Sequence, residues 1–441
     1  MWPWPQGYRN YDIPHSRCVY PQIGKMNPVR HGGDDGIGTA WAIAMPYISY
    51  EDSATHQAIV DLTKKPVVEM KKLTQGSTET TIEVGGNPTS IMDRTHARER
   101  QAAGSTAPED VQSGIIQVMK GYLEGKKGSL PLHPRRTLDQ SYYYTLKDTS
   151  DRDTDQVVSR WIRKLNRSGG ESSGRSNILM VDQLWLWYIK KTDENQADVV
   201  ITSFPNRDSM ESKLDDMLLN DKNRDPFFCT GDLVAQIMTE CCKTLSLDRE
   251  DPALRFVEFF EGAIGRVEEK ETKLLKKFGS ASKELSALDE PDPRSPGPKR
   301  LRSQPFDIMR EVQLLTEVKD ILDEIKMIKT VLADQKSILD SDRLDQLSKV
   351  LCGEKSPADT SHSRDRFSKP KELVERAMAT FDNMKRRAEA VEHGLISLLD
   401  LKQKQTNVWE ARMAREGAEE TAKQGMVCRA LVVLEVDRRL C

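Results

Sequence analysis

Long apolar runs are missing from this sequence. The best internal candidate, WAIAMPYI at residues 41–48, is short and is interrupted by Pro46, whereas a membrane-spanning helix needs about 20 predominantly apolar residues. The N-terminal residues MWPWPQGYRN contain two prolines and lack the apolar core of a secretory signal. We therefore expect a soluble or peripheral, cytoplasmic protein with no membrane span in this chain.

Paired cysteines and an excess of charge of one sign are also missing. The seven cysteines are scattered and form no CxxC pair, which is typical of a protein in a reducing compartment. The 66 basic and 69 acidic side chains nearly cancel, leaving a net charge of -3 and no general attraction to nucleic acid. The basic stretch at 160–177 comes with no stacking platform, so we predict no nucleic-acid partner. PKRLR at 298–302 fits a nuclear import signal, but such a run also arises easily in a proline-rich linker.

The common catalytic motifs are absent as well. The sequence has no GxxxxGK[ST], no HExxH, and no GxSxG between a strand and a helix. The glycines of HGGDDGIG at 31–38 follow no convincing strand, and the seven histidines are too dispersed to indicate a ligand set. We predict that the chain is not an enzyme. A hydrolase that uses the carboxylates near Asp151 is the remaining enzymatic interpretation.

Two proline-containing breaks divide the chain. The first, SALDEPDPRSPGPKRLRSQP, contains five prolines, and the second is GEKSPADTSHSRDRFSKPK. In chain order, the sequence predicts an irregular or disordered N-terminal extension (1–110), a mixed α/β domain (111–285), a Pro-rich linker (286–305), a helix (306–352), a linker (353–371), a stalk helix (372–425) and an atypical short apolar tail (426–441).

Strand patterns lie in the predicted mixed domain. NILMVDQLWLWYI at 177–189 is apolar or aromatic at nearly every position, which is typical of a strand buried on both faces. ADVVITSFP at 197–205 is rich in β-branched residues, so the two stretches predict a β-hairpin with a long loop. Helical patterns at 208–220 and 231–247 accompany them. The predicted fold class is therefore α/β (α+β), followed by long α-helices.

The long helices carry apolar residues at heptad spacing. One set lies in the predicted helix at 306–352: Leu315, Val318, Leu322, Ile325, Leu332 and Leu339. A second set lies in the stalk helix: Val374, Ala377, Phe381, Met384, Ala388, Val391, Leu395 and Leu398. Such seams predict a coiled coil or an antiparallel helical hairpin. After Leu398 the seam positions become polar except for Trp409, which predicts a solvent-bridging arm.

The densest set of carboxylates lies at 135–161, in RRTLDQSYYYTLKDTSDRDTDQVVSRW. Carboxylate oxygens are the ligands that hard cations prefer, and Asp151, Asp153 and Asp155 are our candidate metal ligands. The EF-hand spacing is absent, because the sixth position has no glycine and the twelfth has no glutamate. The alternative is that Asp148 to Asp155 form a turn and a helix cap while the neighbouring tyrosines pack on the sheet.

Three stretches carry a resemblance to a known family: HPRRTLDQSYYYTLKDTSDRDTDQVVSRW, ILMVDQLWLWYIKK with ADVVITSFPNR, and LLDLKQKQTNVWEARMAREGAEETAKQG. Together they resemble the fungal branch of the CorA-like magnesium transporters, and MPYISYE at 45–51 is similar to the short motif ahead of that domain. The resemblance implies a cytosolic α/β domain, a helical stalk and five-subunit assembly at a membrane. It also implies regulatory Mg²⁺ between cytosolic domains, and partners that are further copies or other CorA-like subunits.

The resemblance stops after Gly425. In the family an apolar span and a Gly-Met-Asn motif follow, whereas here MVCRALVVLEVDRRLC contains Arg429 and Glu435, and no Gly-Met-Asn occurs. As a helix, the apolar stretch 426–436 would reach roughly 16 Å, against about 30 Å of hydrocarbon. We expect the sensor and stalk portion of such a transporter, unable to conduct ions by itself. The alternative is a soluble coiled-coil adaptor derived from the same family.

Overall fold

The computed structural model divides into two compact units. The first, the sheet unit, comprises Met1–Phe260 and Glu324–Phe381, and the second, the helical unit, comprises Glu261–Asp323 and Asp382–Cys441. The structure describes residues 22–26, 37–54, 56–57, 135–146, 148–167, 177–191, 197–203, 227, 229–246, 251–287, 307–352 and 366–440.

The sheet unit is built on one antiparallel sheet. Its strands are β1 (Gln22–Met26), β2 (Ile37–Asp52), β3 (Arg136–Thr137), β4 (Asn177–Lys191) and β5 (Val199–Ser203). The order is β1-β2-β4-β3, with β5 also paired to β4. Strands β2 and β4 pair along their whole length, from Ile37 opposite Lys191 to Asp52 opposite Asn177.

The core of the sheet unit is centred on β2 and β4, and β2 is buried on both faces from Trp41 to Glu51. Leu184 and Leu186 of β4 are fully buried opposite Met45 and Ile43 of β2. The other face of β4 carries Trp185 and Trp187, whose rings stack with centroids 6.0 Å apart, together with half-buried neighbours. The first six residues of β4 are buried on both faces, as the sequence predicts. The predicted hairpin is also confirmed, because β4 and β5 pair antiparallel.

Eight α-helices accompany the strands in the described part of the chain. They are α1 (Leu138–Tyr142), α2 (Ser150–Thr154), α3 (Val157–Arg167), α4 (Thr230–Cys242), α5 (Phe256–Ala287), α6 (Met309–Leu339), α7 (Asp342–Cys352) and α8 (Ser368–Leu440). Within the sheet unit, α4 contacts β2 and α7, and α7 contacts β1. At this edge the Arg343 guanidinium of α7 donates to the Ile23 carbonyl oxygen of β1, with the two atoms 2.8 Å apart.

The helical unit contains α5 from Glu261, α6 up to Asp323 and α8 from Asp382. Its buried apolar side chains come from all three helices: Ala263, Ile264, Val267, Leu314, Val318, Ile321, Met384, Ala388, Val391, Leu395 and Leu398. Polar contacts also join these helices. Arg387 of α8 donates two hydrogen bonds to Glu268 of α5, and Lys402 of α8 lies against Glu311 of α6, at 2.6 Å.

The helical seams are confirmed in α8 and only partly in α6. All eight predicted α8 residues are buried. In α6 the predicted Leu315 and Leu322 are half-exposed, while the adjacent Leu314 and Ile321 are buried. Apolar residues occur in pairs at both places, so the heptad phase was ambiguous there. A coiled-coil stalk stays a prediction.

Several predicted boundaries differ from the observed elements. The boundary at residue 110 separates β2 from β4, although these strands are paired throughout, because their pairing joins segments far apart in sequence. The helix predicted at 306–352 is two helices, α6 and α7, and α8 begins at Ser368 and continues past Gly425 to Leu440. The helix predicted at 208–220, and most of the extension and the two linkers, lie outside the described residues. No helix in the described part is both long and apolar enough to cross a membrane.

Candidate functional site

Strand β3 stands between two groups of polar side chains. Its residues Arg136 and Thr137 pair with Val181 and Met180 of β4. Arg135, immediately before β3, therefore lies beside Asp182 of β4, while Thr137 leads directly into α1. We call the side chains of Thr137, Asp139, Thr149 and Asp153 the acid pocket. We call those of Ser49, Glu51, Arg135 and Asp182 the arginine cluster.

Asp153 is the centre of the acid pocket. Its side chain is buried and accepts hydrogen bonds from the Thr137 hydroxyl, the Thr149 hydroxyl at 2.8 Å and the Gln140 amide at 3.4 Å. Thr137 is also the N-cap of α1, because its hydroxyl oxygen accepts from the Gln140 backbone N–H at 3.0 Å. Asp153 of α2 is thereby tied to the start of α1.

The acid pocket shifts the pKa of Asp153 upward. Burial raises that pKa to about 6, the hydroxyls of Thr137 and Thr149 counteract the increase, and the charges of Asp139 and Asp148 add to it. A carboxyl with this pKa exchanges a proton close to neutral pH. The charge of the Asp153 side chain in the acid pocket therefore changes with pH in this range.

Asp139 of α1 is the second buried carboxylate of the pocket. It accepts from Arg152 Nε at 3.1 Å and from Gln156 Nε2 at 3.3 Å. The Gln156 amide also bonds both backbone groups of Leu179, with Nε2 donating to the carbonyl oxygen at 3.3 Å and Oε1 accepting from N–H at 2.8 Å. Asp139 thus has a positional role, holding the segment after α2 against the edge of β4.

The three predicted metal ligands have different environments. Asp153 is buried in the acid pocket, whereas Asp151 and Asp155 are exposed. Asp155 pairs with Arg160, at 3.2 Å. Nowhere in the described ranges do three or more His, Cys, Asp or Glu side chains form a group that could hold a metal ion. The turn and helix of the alternative interpretation are present, since the Asp148 carboxylate accepts from the Ser150 N–H just as α2 begins.

The arginine cluster neutralises a charge in the middle of the sheet. Arg135 Nε and Nη2 donate to the two carboxylate oxygens of Asp182 at 3.0 and 3.1 Å. Nη2 also lies 3.2 Å from the Ser49 hydroxyl, and Nη1 lies 2.9 Å from Glu51. Burial alone would lower the pKa of Arg135, but the charges of Asp182 and Glu51 raise it above its usual value. This arrangement is a buried network of ion pairs around Arg135.

His56 lies at the margin of the arginine cluster. Its Nδ1 is 3.9 Å from a Glu51 carboxylate oxygen, and its side chain is buried. Burial, together with the charge of Arg135, lowers the pKa of His56 to about 4, so the imidazole is neutral near pH 7. Sequence reasoning missed the whole cluster. The available signal was Asp182, a charge within an apolar strand, because a buried charge requires a partner.

The fold and site together define a protein with an α+β domain, a buried ion network and long helices. Comparison with known proteins does not assign the chain to a family. The chain matches no protein-family model, no characterised protein and no solved structure.

Proposed function

We propose that this chain is the sensor and stalk portion of a CorA-like divalent-cation transporter. The observation that carries the proposal is helix α8, which continues without a break for 73 residues. Its apolar seam is buried as far as Leu398, whereas the described side chains from Ala414 to Gln424 are all exposed and include no bulky apolar group. A helix that is polar all round is typical of a solvent-bridging arm. The layout of a mixed domain followed by such an arm is the one that the family resemblance implies.

The sensing role is assigned to the segment around α2. Asp151 and Asp155 are exposed carboxylates on either side of the buried Asp153, which the acid pocket holds in place. Hard divalent cations such as Mg²⁺ prefer carboxylate oxygens. In this proposal Asp151 and Asp155 face the ion, and Asp153 positions the segment that carries them. The ion is regulatory and lies between this chain and a neighbouring subunit.

Limited proteolysis in a magnesium titration tests the sensing role. Exposed basic residues of α8, such as Lys404, Arg415 and Lys423, provide trypsin sites along the arm. We expect millimolar Mg²⁺ to slow cleavage of the arm in the wild-type chain and in the control Asp400→Asn. The double variant Asp151→Asn/Asp155→Asn should lose this protection. Equal cleavage rates of the wild type with and without Mg²⁺ would contradict sensing.

A flux assay tests the second part of the proposal. Because Arg429 and Glu435 interrupt the apolar stretch after Gly425, we expect the chain to conduct no ions by itself. Vesicles reconstituted with this chain alone should show the same magnesium uptake as empty vesicles. Uptake above that baseline would contradict the proposal.

The second candidate function is a coiled-coil adaptor that binds intact CorA-like subunits. Leu401 and Val408 of α8 favour it, because they are exposed and lie one heptad apart. Co-purification with a full-length CorA-like subunit is the test. The variant Leu401→Glu/Val408→Glu should abolish recovery of the partner, and Ala414→Glu should not. Failure of the wild-type chain to co-purify would remove this candidate.

A further inference from the structure

Strand β5 leaves one edge of the sheet unpaired in the described structure. Its residues pair with β4 on one side, from Ile189 opposite Val199 to Trp185 opposite Ser203, and no described strand lies on the other side. Such an edge presents a row of backbone N–H and C=O groups that can pair with another strand. We propose that β5 is the dimerisation edge of this protein, where β5 of a second copy of the chain pairs antiparallel. The proposal does not depend on the transporter role.

The side chains of β5 make this edge apolar on one face. Val199 is 38% exposed and Ile201 is 47% exposed, whereas the intervening Val200 is half-buried. Ile201 lies opposite Trp187, and Ser203 lies opposite Trp185. The exposed apolar side chains of β5 therefore continue the face that the two tryptophans begin, and a strand added at the edge would cover them.

Nothing within β5 opposes strand addition. Exposed edge strands are commonly protected by lysine, proline, an inward-pointing charge or a bulge, and the sequence Val-Val-Ile-Thr-Ser contains no charge and no proline. The preceding Asp198 is engaged within its own hairpin. Its carboxylate accepts from the Tyr188 hydroxyl at 2.7 Å and from the Lys191 N–H at 3.2 Å.

We assign the unpaired edge of β5 to a second copy of the chain, because β5 can pair antiparallel with its own sequence without opposing charges. An isologous interface places the same surface on both subunits around a twofold axis. With that axis at Ile201, the two Ile201 side chains oppose each other, Val199 opposes the partner's Ser203, and Val200 opposes the partner's Thr202. Every cross-strand pair within β5 is then uncharged, so no like charges meet between the two strands.

Disulfide trapping of the full chain tests this register directly. Directly opposed residues of antiparallel strands have Cα atoms about 4.5 to 5.5 Å apart, which is within the range of about 4.4 to 6.8 Å for a disulfide. Under mild oxidation, Ile201→Cys should therefore give a strong dimer band on a non-reducing gel. Leu275→Cys is the matched control, because Leu275 is 48% exposed. Dimer yields from Ile201→Cys no higher than those of the control and the wild type would overturn the register.

Sedimentation velocity tests the interface without a covalent bond. We expect the wild type and Leu275→Lys to sediment as dimers or larger assemblies. The sedimenting mass of Ile201→Lys should be half that of the wild type. Far-UV circular dichroism tests whether each variant is folded. If Ile201→Lys does not fold, the disulfide-trapping experiment alone tests the proposal. A monomeric wild type, or an unchanged mass for folded Ile201→Lys, overturns the proposal.

Discussion

At the scale of single residues, Asp153 and His56 titrate at pH values displaced in opposite directions. Burial raises the pKa of Asp153 to about 6 and lowers the pKa of His56 to about 4. Both shifts arise because burial disfavours the charged form, which is the anion for aspartate and the cation for histidine. Their effects on stability therefore oppose each other between about pH 4 and 6, and single variants are needed to separate them.

Asp153 makes folding less favourable as pH rises. The folded chain keeps the Asp153 proton up to about pH 6, whereas an unfolded chain loses it near 3.8. The free energy of unfolding should therefore fall between these pH values, by up to about 3 kcal/mol, and then stay level. We expect Asp153→Asn to remove this part of the slope in urea unfolding followed from pH 4 to 7. The exposed Asp151→Asn is the control, and an unchanged slope in Asp153→Asn would contradict the assignment.

His56 acts in the opposite sense. Its pKa falls from 6.5 in an unfolded chain to about 4 in the folded one, so its stabilising effect is complete above pH 6.5 and is lost as pH falls toward 4. His56→Gln should reduce the loss of unfolding free energy on acidification by about 2 to 3 kcal/mol. His393→Gln, at an exposed position, should behave like the wild type. The same acid loss in His56→Gln and the wild type would count against this role.

At the scale of secondary-structure elements, ion pairs fix how strands and helices meet. Asp182 of β4 is held by Arg135, whereas Asp155 and Arg160 form a more exposed pair near α2 and α3. Removing one partner of a buried pair leaves an uncompensated charge, which costs about 3 to 5 kcal/mol. Exposed pairs contribute about 0 to 1 kcal/mol. The two pairs therefore form a natural comparison.

Asp182→Ala should destabilise the sheet unit strongly, because Arg135 would lose a two-point contact in the core. Because Arg135 keeps Glu51 as a partner, we expect a loss of about 1.5 to 3 kcal/mol in the free energy of unfolding, measured by urea denaturation at pH 7. Asp155→Ala is the matched control and should cost less than about 1 kcal/mol. Equal effects of the two substitutions would show that the buried network contributes no more than a surface pair.

Lys402 and Glu311 make the corresponding contact in the helical unit. Both side chains are buried, and the Lys402 ammonium also donates to the Asp307 carbonyl oxygen at 2.7 Å. Lys402→Met should lower the thermal midpoint, because Glu311 would remain buried without its cation. The double variant Lys402→Met/Glu311→Met should recover much of the loss. Thermal melts followed by circular dichroism distinguish the two, and an equal midpoint in the single and double variants would refute the pairing.

At the scale of the whole molecule, local patterns were predictable and distant pairings were not. The α8 seam follows from spacings of three and four residues, and the β4–β5 hairpin joins neighbouring segments, so sequence was sufficient for both. The pairing of β2 with β4 joins segments on either side of residue 110, and the sequence contains no local signal for it. The arginine cluster depends on the same pairing, since Ser49 and Asp182 meet across 133 positions. Of the acid pocket, only the carboxylates were predicted from the sequence. The hydroxyls that surround Asp153 were not predicted.

Side chains occupy backbone hydrogen-bonding groups at two places on the sheet away from β5. Gln156 satisfies both backbone groups of Leu179 at one edge of β4, and Arg343 occupies the Ile23 carbonyl oxygen of β1. At these points a side chain takes hydrogen bonds that an incoming strand would need. If copies add only through β5, the twofold contact uses that edge on both, and assembly by strand addition ends at two. The geometry thus favours a finite pair over a growing fibre.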